Sequence, residues 1–108
     1  EDGILQLLKQ IKLTPHNQLH MIIGMVQDKD ILNVLKHLPI SARYYFTKAG
    51  IPRAMNEVTL SKKAEQFGLI GKKYTNVNKA ITAAKKIANR TDLLIVCGSV
   101  FLVGEVDN

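Results

Sequence analysis

Apolar positions along the chain switch repeatedly between two spacings. Ile4, Leu5, Leu7, Leu8 and Ile11 recur at the helical period until Pro15 and Asn17 break the pattern. His20-Met21-Ile22-Ile23-Gly24-Met25 is then a short, nearly continuous apolar run, the form a strand takes when both of its faces are covered. Ile31, Val34, Leu35 and Leu38 return to helical spacing and stop at Pro39. Arg43-Tyr44-Tyr45-Phe46-Thr47, rich in aromatic residues, reads as a second strand. A loop at Ala49-Gly50-Ile51-Pro52-Arg53 leads to a helix from about Glu57 to Phe67 with Leu60, Ala64 and Phe67 inward and Gly68 as its terminator. Leu69 to Tyr74 leaves room for a short strand, which Gly71 and two lysines weaken.

The next helix has the clearest pattern. Val77, Ala80, Ile81, Ala84 and Ala88 share one face, Lys79, Lys86 and Arg90 occupy the other, and Asn76 stands at the N-cap. Asp92-Leu93-Leu94-Ile95-Val96-Cys97 reads as a buried strand, turned by Gly98-Ser99 into a last apolar segment expected to be a short buried helix, with a strand as the alternative. Helices alternating with strands at this spacing imply right-handed crossovers and an α/β domain of three layers, a mostly parallel Rossmann-like sheet with helices on both faces. A doubly wound unit of this kind ordinarily opens on a strand, whereas this pattern opens on a helix. No internal repeat, low-complexity tract or linker interrupts residues 1–108, so one domain is expected.

Composition narrows the class without naming a function. Apolar residues at 46% and charged residues at 22% fit a folded globular chain, and the apolar runs are too short for a membrane span, so a cytoplasmic location without a membrane partner is expected. The lone Cys97 cannot form an internal disulfide and ends an apolar run, which suits a structural role. Charge is unevenly spread. Residues 61–90 hold eight basic residues against Glu65, a net of +7, and the rest of the chain sums to −1. Such a segment can attract an anionic polymer, but no aromatic or Gly-rich pattern of nucleic-acid readers interleaves with the lysines, so a nucleic-acid partner is not expected.

Open parallel sheets bind ligands beyond the carboxyl ends of their strands, which draws attention to the turns after Met25 and after Cys97. Asp28-Lys29-Asp30 sets two anions and a cation at a helix start, and these either cap the helix or line a site. Gly98 and Ser99 offer a close backbone turn, a hydroxyl and free amides, again either as a cap or as a seat for a carboxylate or phosphate. Other constellations fail. Gly68-Leu69-Ile70-Gly71-Lys72-Lys73 has its glycines too close for a phosphate loop and no Ser or Thr after Lys72. His16, His20 and His37 have no Cys partners and no helical i, i+4 pairing, and His16 and His20 suit a loop and a strand edge. Val96-Cys97-Gly98-Ser99-Val100 lacks the outer glycines of a nucleophile elbow.

Read together, these segments resemble the carboxy-terminal domain of the folylpolyglutamate/dihydrofolate synthases of the Mur ligase superfamily. Gly24-Met25-Val26-Gln27-Asp28-Lys29-Asp30-Ile31 is similar to the family's strand-to-helix turn, Pro52-Arg53-Ala54 to its central Pro-Arg-Ala, Val77 with Ala80 and Ala84 to its fourth-helix pattern, and Gly98-Ser99 to Glu105 to its terminal Gly-Ser-x-aromatic-x-x-Gly-Glu. The resemblance spans essentially the whole chain. It implies an ATP-dependent ligase that activates a folate carboxyl as an acyl phosphate for attack by the amine of glutamate, and in some members acts on dihydropteroate too. By the same resemblance, ATP and Mg²⁺ belong to a separate amino-terminal ATP-binding domain, so residues 1–108 alone should bind no cofactor or metal, contain no catalytic residue and be inactive. Ser99, with Gly98, would contact the incoming glutamate, while Asp28, Lys29 and Asp30 would stand at the cleft rim. Cys97 replaces the usual Thr before Gly-Ser. The family's first strand, ending in Asp-Gly-Ala-His-Asn, has no counterpart, because Asp2-Gly3 is followed by Ile4-Leu5. The competing expectation is a stand-alone basic α/β module that recruits an anionic polymer through residues 61–90.

Overall fold

The computed structural model describes residues 2–25, 31–48, 54–98 and 104–105. Their order is α1 (Asp2–Leu13), β1 (Leu19–Gly24), α2 (Ile31–Leu35), β2 (Arg43–Thr47), α3 (Glu57–Glu65), β3 (Gly71–Tyr74), α4 (Val77–Ile87), β4 (Leu93–Gly98) and β5 (Gly104–Glu105). The strands form one five-stranded sheet in the order β3-β2-β1-β4-β5. The first four are parallel and β5 runs antiparallel to β4.

Strand alternation sorts the apolar residues onto two faces. Met21, Ile23, Tyr44, Phe46, Leu93 and Ile95 join Ile11 of α1, Leu35 of α2 and Leu60 and Ala64 of α3 in the larger core. Ile22, Tyr45 and Leu94 point the other way and pack with Ala80 and Ala84 of α4. The central strand β1 is therefore covered on both faces, as its unbroken apolar run requires. Each fully buried Ile or Met contributes roughly 1.5–3 kcal/mol by leaving water. The small side chains at 80 and 84 let α4 lie close to the sheet.

The helix ends follow the expected chemistry. Asn76 Oδ1 accepts from the Lys79 amide at 2.9 Å, and Asn56 Oδ1 caps α3 by accepting from Val58 N–H at 2.8 Å. Only the first of these caps is anticipated by the residue pattern. At the other end of α3 the Leu69 amide reaches the Ala64 carbonyl and the Gly68 amide reaches that of Glu65, with Gly68 at φ +78°, which is a Schellman stop. Gly68→Ala is expected to cost about 1 kcal/mol through the left-handed backbone alone, since an added Cβ would meet only Ile40 at 3.4 Å; urea unfolding measures it. Helix α2 is shorter than its apolar spacing suggests. After Leu35 the chain continues to Leu38 in three-residue turns, His37 N–H to Val34 C=O and Leu38 N–H to Leu35 C=O, before Pro39.

One expectation needs correction, and another lies outside the described residues. The apolar residues 100–103, for which a short helix is expected, are among those not described; beyond them residues 104–105 form a strand, with Ile95 opposite Glu105 and Val96 opposite Gly104. The open side of β4 offers unpaired backbone groups that such a strand satisfies. His20 is not an edge residue. It lies in the central strand, 1% exposed, and both its ring nitrogens have partners. His16 does lie in the loop between α1 and β1, with its Nδ1 2.7 Å from the Thr14 carbonyl. Among the described residues no helix is long and apolar enough to cross a membrane.

Candidate functional site

The connection from β1 through α2, β2 and α3 to β3 steps outward on one side of β1. Helix α4 then carries the chain back to β4 on the other side. The strand order thus reverses between β1 and β4, and the crevice beyond their carboxyl ends is where an open parallel sheet takes its ligand. Gly24 and Gly98, the last residues of these strands, are direct register partners. The turns that follow Met25 and Cys97 therefore start side by side, although the paired positions are 74 residues apart along the chain. A third segment reaches the same edge. The Met55 amide donates to the Met25 carbonyl at 2.7 Å, and Ala54 and Met55 are buried there, so the end of Pro52-Arg53-Ala54 abuts the end of β1.

Of the residues singled out in the sequence, Gly98 is placed at this edge as the end of β4. Ser99, Asp28, Lys29, Asp30, Pro52 and Arg53 lie outside the described residues, as does the Cys97 side chain. Thr47 was not anticipated. It ends β2 one residue past the Ile23–Phe46 pair, level with Gly24, and pairs on its other side with Tyr74 of β3. It is 0% exposed, and its Oγ1 is the one fully buried side-chain polar atom among the described residues that has no hydrogen-bond partner. Among the described residues no group of three or more His, Cys, Asp and Glu side chains could hold a metal ion.

The opposite, amino edge carries a buried polar network. With the imidazole neutral, His20 Nε2–H donates to Asp92 Oδ2 at 2.9 Å and Nδ1 accepts from the Tyr45 hydroxyl at 2.9 Å. Asp92 also accepts from the Asn89 amide at 3.0 Å and the Gln18 amide at 3.1 Å. Its carboxyl is held below its ordinary range, chiefly by the Asn89 amide and next by His20. Burial pushes the Tyr45 phenol up, with Tyr74 and Asp92 adding to that against the opposing pull of Arg43. These groups tie β1, β2 and β4 to the end of α4 and lie away from the β1–β4 crevice. Apart from the local Asn89–Asp92 bond, their partners are 25 to 74 residues apart, which no local spacing rule detects.

The Gly68 to Lys73 segment also lies at the amino edge. It ends a helix and enters a strand, the reverse of a phosphate loop, and both glycines have structural duties. The basic residues of 61–90 are mostly exposed, but Lys62 lies on α3, Lys72 and Lys73 on the outer strand β3, and Lys79, Lys85 and Lys86 on α4. They surround the β3 side of the sheet instead of converging on one groove.

The sequence model for the family described as "Mur ligase, glutamate ligase domain" matches residues 1–100. The chain belongs to that family. A curated relative, the dihydrofolate synthase/folylpolyglutamate synthase of Buchnera aphidicola subsp. Schizaphis graminum, is 26% identical over 95 residues, which are 87% of this chain and 22% of the relative. The structure of E. coli FolC in complex with DHPP and ADP is 30% identical with a TM-score of 0.78, over 89% of this chain and 23% of that one. The bifunctional folylpolyglutamate synthase/dihydrofolate synthase of Yersinia pestis, complexed with AMPPNP and Mn ion, is 23% identical with a TM-score of 0.75 over the same shares, and supports the fold. The resemblance read from the motifs is borne out, and so is the Rossmann-like Mur ligase domain fold. The chain spans somewhat over a fifth of the length of these relatives.

Proposed function

We propose that this glutamate ligase domain works as part of an ATP-dependent amide ligase that adds L-glutamate to folates, with dihydropteroate as a second acceptor. The observation that carries this reading is the meeting of three family-like segments at one sheet edge, together with a family match over residues 1–100. In such a ligase ATP converts an acceptor carboxyl to an acyl phosphate. The amine of glutamate then attacks the acyl carbon, the amide bond forms, phosphate leaves with the bonding electron pair, and the amine loses its proton. This domain's task is placement. Holding amine and acyl carbon together replaces a bimolecular encounter, and charge on the substrate must be met by fixed donors.

The expected donors at this edge are Ser99 and the backbone at Gly98, with Asp28, Lys29 and Asp30 at the rim. Among the described residues no acidic cluster fits a divalent ion, so no step is routed through one on this domain; ATP and Mg²⁺ are assigned to a partner domain of the complete ligase, and longer relatives are known in complex with ADP, or with AMPPNP and Mn ion. The basic-module reading gains nothing from the dispersed lysines. Lys72 and Lys73 already have a use in keeping the outer strand from pairing with another chain.

The test uses the complete gene product that contains this chain. Wild type should incorporate labelled glutamate into a folate only with ATP, and Ser99→Ala should raise KM for glutamate at least about tenfold through loss of a hydrogen bond to a charged group. Absence of incorporation by the wild type would sink the ligase reading. Unchanged kinetics in Ser99→Ala would remove Ser99 from the site.

A further inference from the structure

A hollow of about 550 Å³ opens at the amino edge of the sheet, between the last turn of α1 and the turn that joins α2 to β2. Buried Ile11 and Leu19 and half-buried Leu8 and Pro39 line its inner part, and exposed Lys12 and Ser41 stand at its mouth. Every residue that lines it belongs to the described parts of the chain. The β1–β4 crevice lies beyond the other end of the same strands, and the rise of β1 from Leu19 to Gly24 puts the two roughly 16 Å apart. The ligase reading makes no use of this hollow.

A crevice where a helix meets a sheet is ordinary, and its volume, within the range of about 300–1,000 Å³ usual for small-molecule sites, names no ligand. The balance of donors and acceptors is more selective. Helix carboxyl ends point at this edge and by themselves would favour a cation. Several of their acceptors are engaged internally: Thr14 donates its hydroxyl to the Gln10 carbonyl at 2.8 Å and its amide to that of Ile11 at 3.2 Å, and His16 Nδ1–H reaches the Thr14 carbonyl at 2.7 Å. Across the hollow, the Tyr44 hydroxyl donates to the Pro39 carbonyl at 2.6 Å and Gln18 Nε2–H to that of Ser41 at 2.9 Å. The cation at the mouth is not matched in this way. None of the lining residues is acidic, and the one ion pair among the described residues is His20–Asp92, so Lys12 has no counter-ion among them. Complementing the α1 dipole accounts for the lysine but not for the apolar space beside it.

We propose that this hollow is a second binding site, for a small organic anion with an apolar body: the body lies against Leu8, Ile11, Leu19 and Pro39, and the anionic group meets the Lys12 ammonium and the Ser41 hydroxyl. An apolar interior with a few placed donors at the opening is the usual make-up of a small-molecule site. The site shares no residue with the crevice and does not depend on the ligase reading. Gln18 continues its wall into the sheet, donating its amide to Asp92 Oδ1 at 3.1 Å and its side chain to Ser41, so a bound molecule braces the amino ends of β1, β2 and β4. It therefore stabilises the folded chain by mass action.

The experiment titrates the complete gene product with 2-naphthoate by calorimetry, with and without glutamate, and follows thermal unfolding. One equivalent should bind per chain with a dissociation constant near or below about 1 mM, unchanged by glutamate, and should raise the unfolding temperature. 2-Naphthamide, which has the same body without the charge, should bind at least about tenfold more weakly. Lys12→Met should weaken 2-naphthoate by a similar factor while unfolding, without ligand, at the wild-type temperature, and Lys12→Arg should stay within about threefold of wild type. The absence of saturable binding, as when another part of the gene product covers the hollow, overturns the proposal. So does equal affinity for acid and amide, or unchanged binding in Lys12→Met. Displacement of 2-naphthoate by glutamate or by a folate would place the probe in the crevice and overturn it as well. Binding is read directly, so the outcome is separate from whether the protein incorporates glutamate.

Discussion

Gly71→Ala is expected to destabilise the chain by about 3 kcal/mol or more, the effect of forcing an atom into backbone that cannot yield. A Cβ at Gly71 would stand 1.9 Å from the Tyr44 carbonyl oxygen and 2.5 Å from its carbon. Tyr44 is its register partner in β2, so relief requires the first rung of the β2–β3 ladder to open. That ladder has four paired positions, and its loss would expose part of the core covered by Leu69 and Tyr44. Urea denaturation of the variant beside Gly68→Ala isolates the cause. Both changes add one methyl group, but at Gly68 the penalty comes from backbone angle and at Gly71 from collision. If the two variants unfold at the same urea concentration, the close approach of β3 to β2 is not as described.

The second large effect is expected at His20. His20→Ala should cost about 3 kcal/mol, because it opens a cavity in the central strand and leaves the Tyr45 hydroxyl and one Asp92 oxygen without their imidazole partner. The same network makes stability depend on acidity. Asp92 has a lower pKa folded than unfolded, so the unfolded chain takes up a proton first as the solution is acidified. The contribution of Asp92 is fully present above the ordinary carboxylate value and is lost as pH falls through the lower folded value, that is, below about pH 4. Urea midpoints measured between neutrality and about pH 3 should fall less steeply for His20→Ala than for wild type, since one acceptor interaction that favours the carboxylate is gone. The slope should not vanish, because the Asn89 and Gln18 amides still hold Asp92. Parallel curves for the two proteins would show that His20 and Asp92 do not act together.

Much of this architecture can be read from local pattern, and the failures share a cause. The caps at Asn76 and Gly68, the two-sided burial of Ile22 and Ile23, and the small inward face of α4 follow from periodicities of two and 3.6 and from the backbone needs of single residues. The Arg43–Thr47 strand has the bounds its aromatic residues suggest. Strand order is another matter. Nothing in the spacing of residues 19–24 and 93–98 states that they lie side by side, and only the family-like segments brought the two turns together in the sequence reading. The polar network was missed for the same reason, since His20 looks like an isolated histidine until Asp92 and Tyr45 arrive from distant segments. Thr47 was passed over because a threonine at the end of a strand is ordinary. Its missing partner shows only in three dimensions. After β4 the ambiguity is different in kind, because a few apolar residues after a turn fit a helix or a strand equally well, and only Gly104 and Glu105 beyond them are described, paired with Val96 and Ile95.

The pairing of β1 with β4 also sets when this domain can become competent. Leu19 and Leu93 open a ladder whose partners are 74 residues apart, so its closure carries a larger loop entropy than the β1–β2 or β2–β3 ladders. On a ribosome, β1 through β3 can associate while β4 is still in the exit tunnel, but β1 then keeps one bare edge and the ligand-facing crevice has only one wall. The wall that β4 adds to this crevice is thus made only after β1 to β3 are available to pair, with β5 alone among the described strands still to follow.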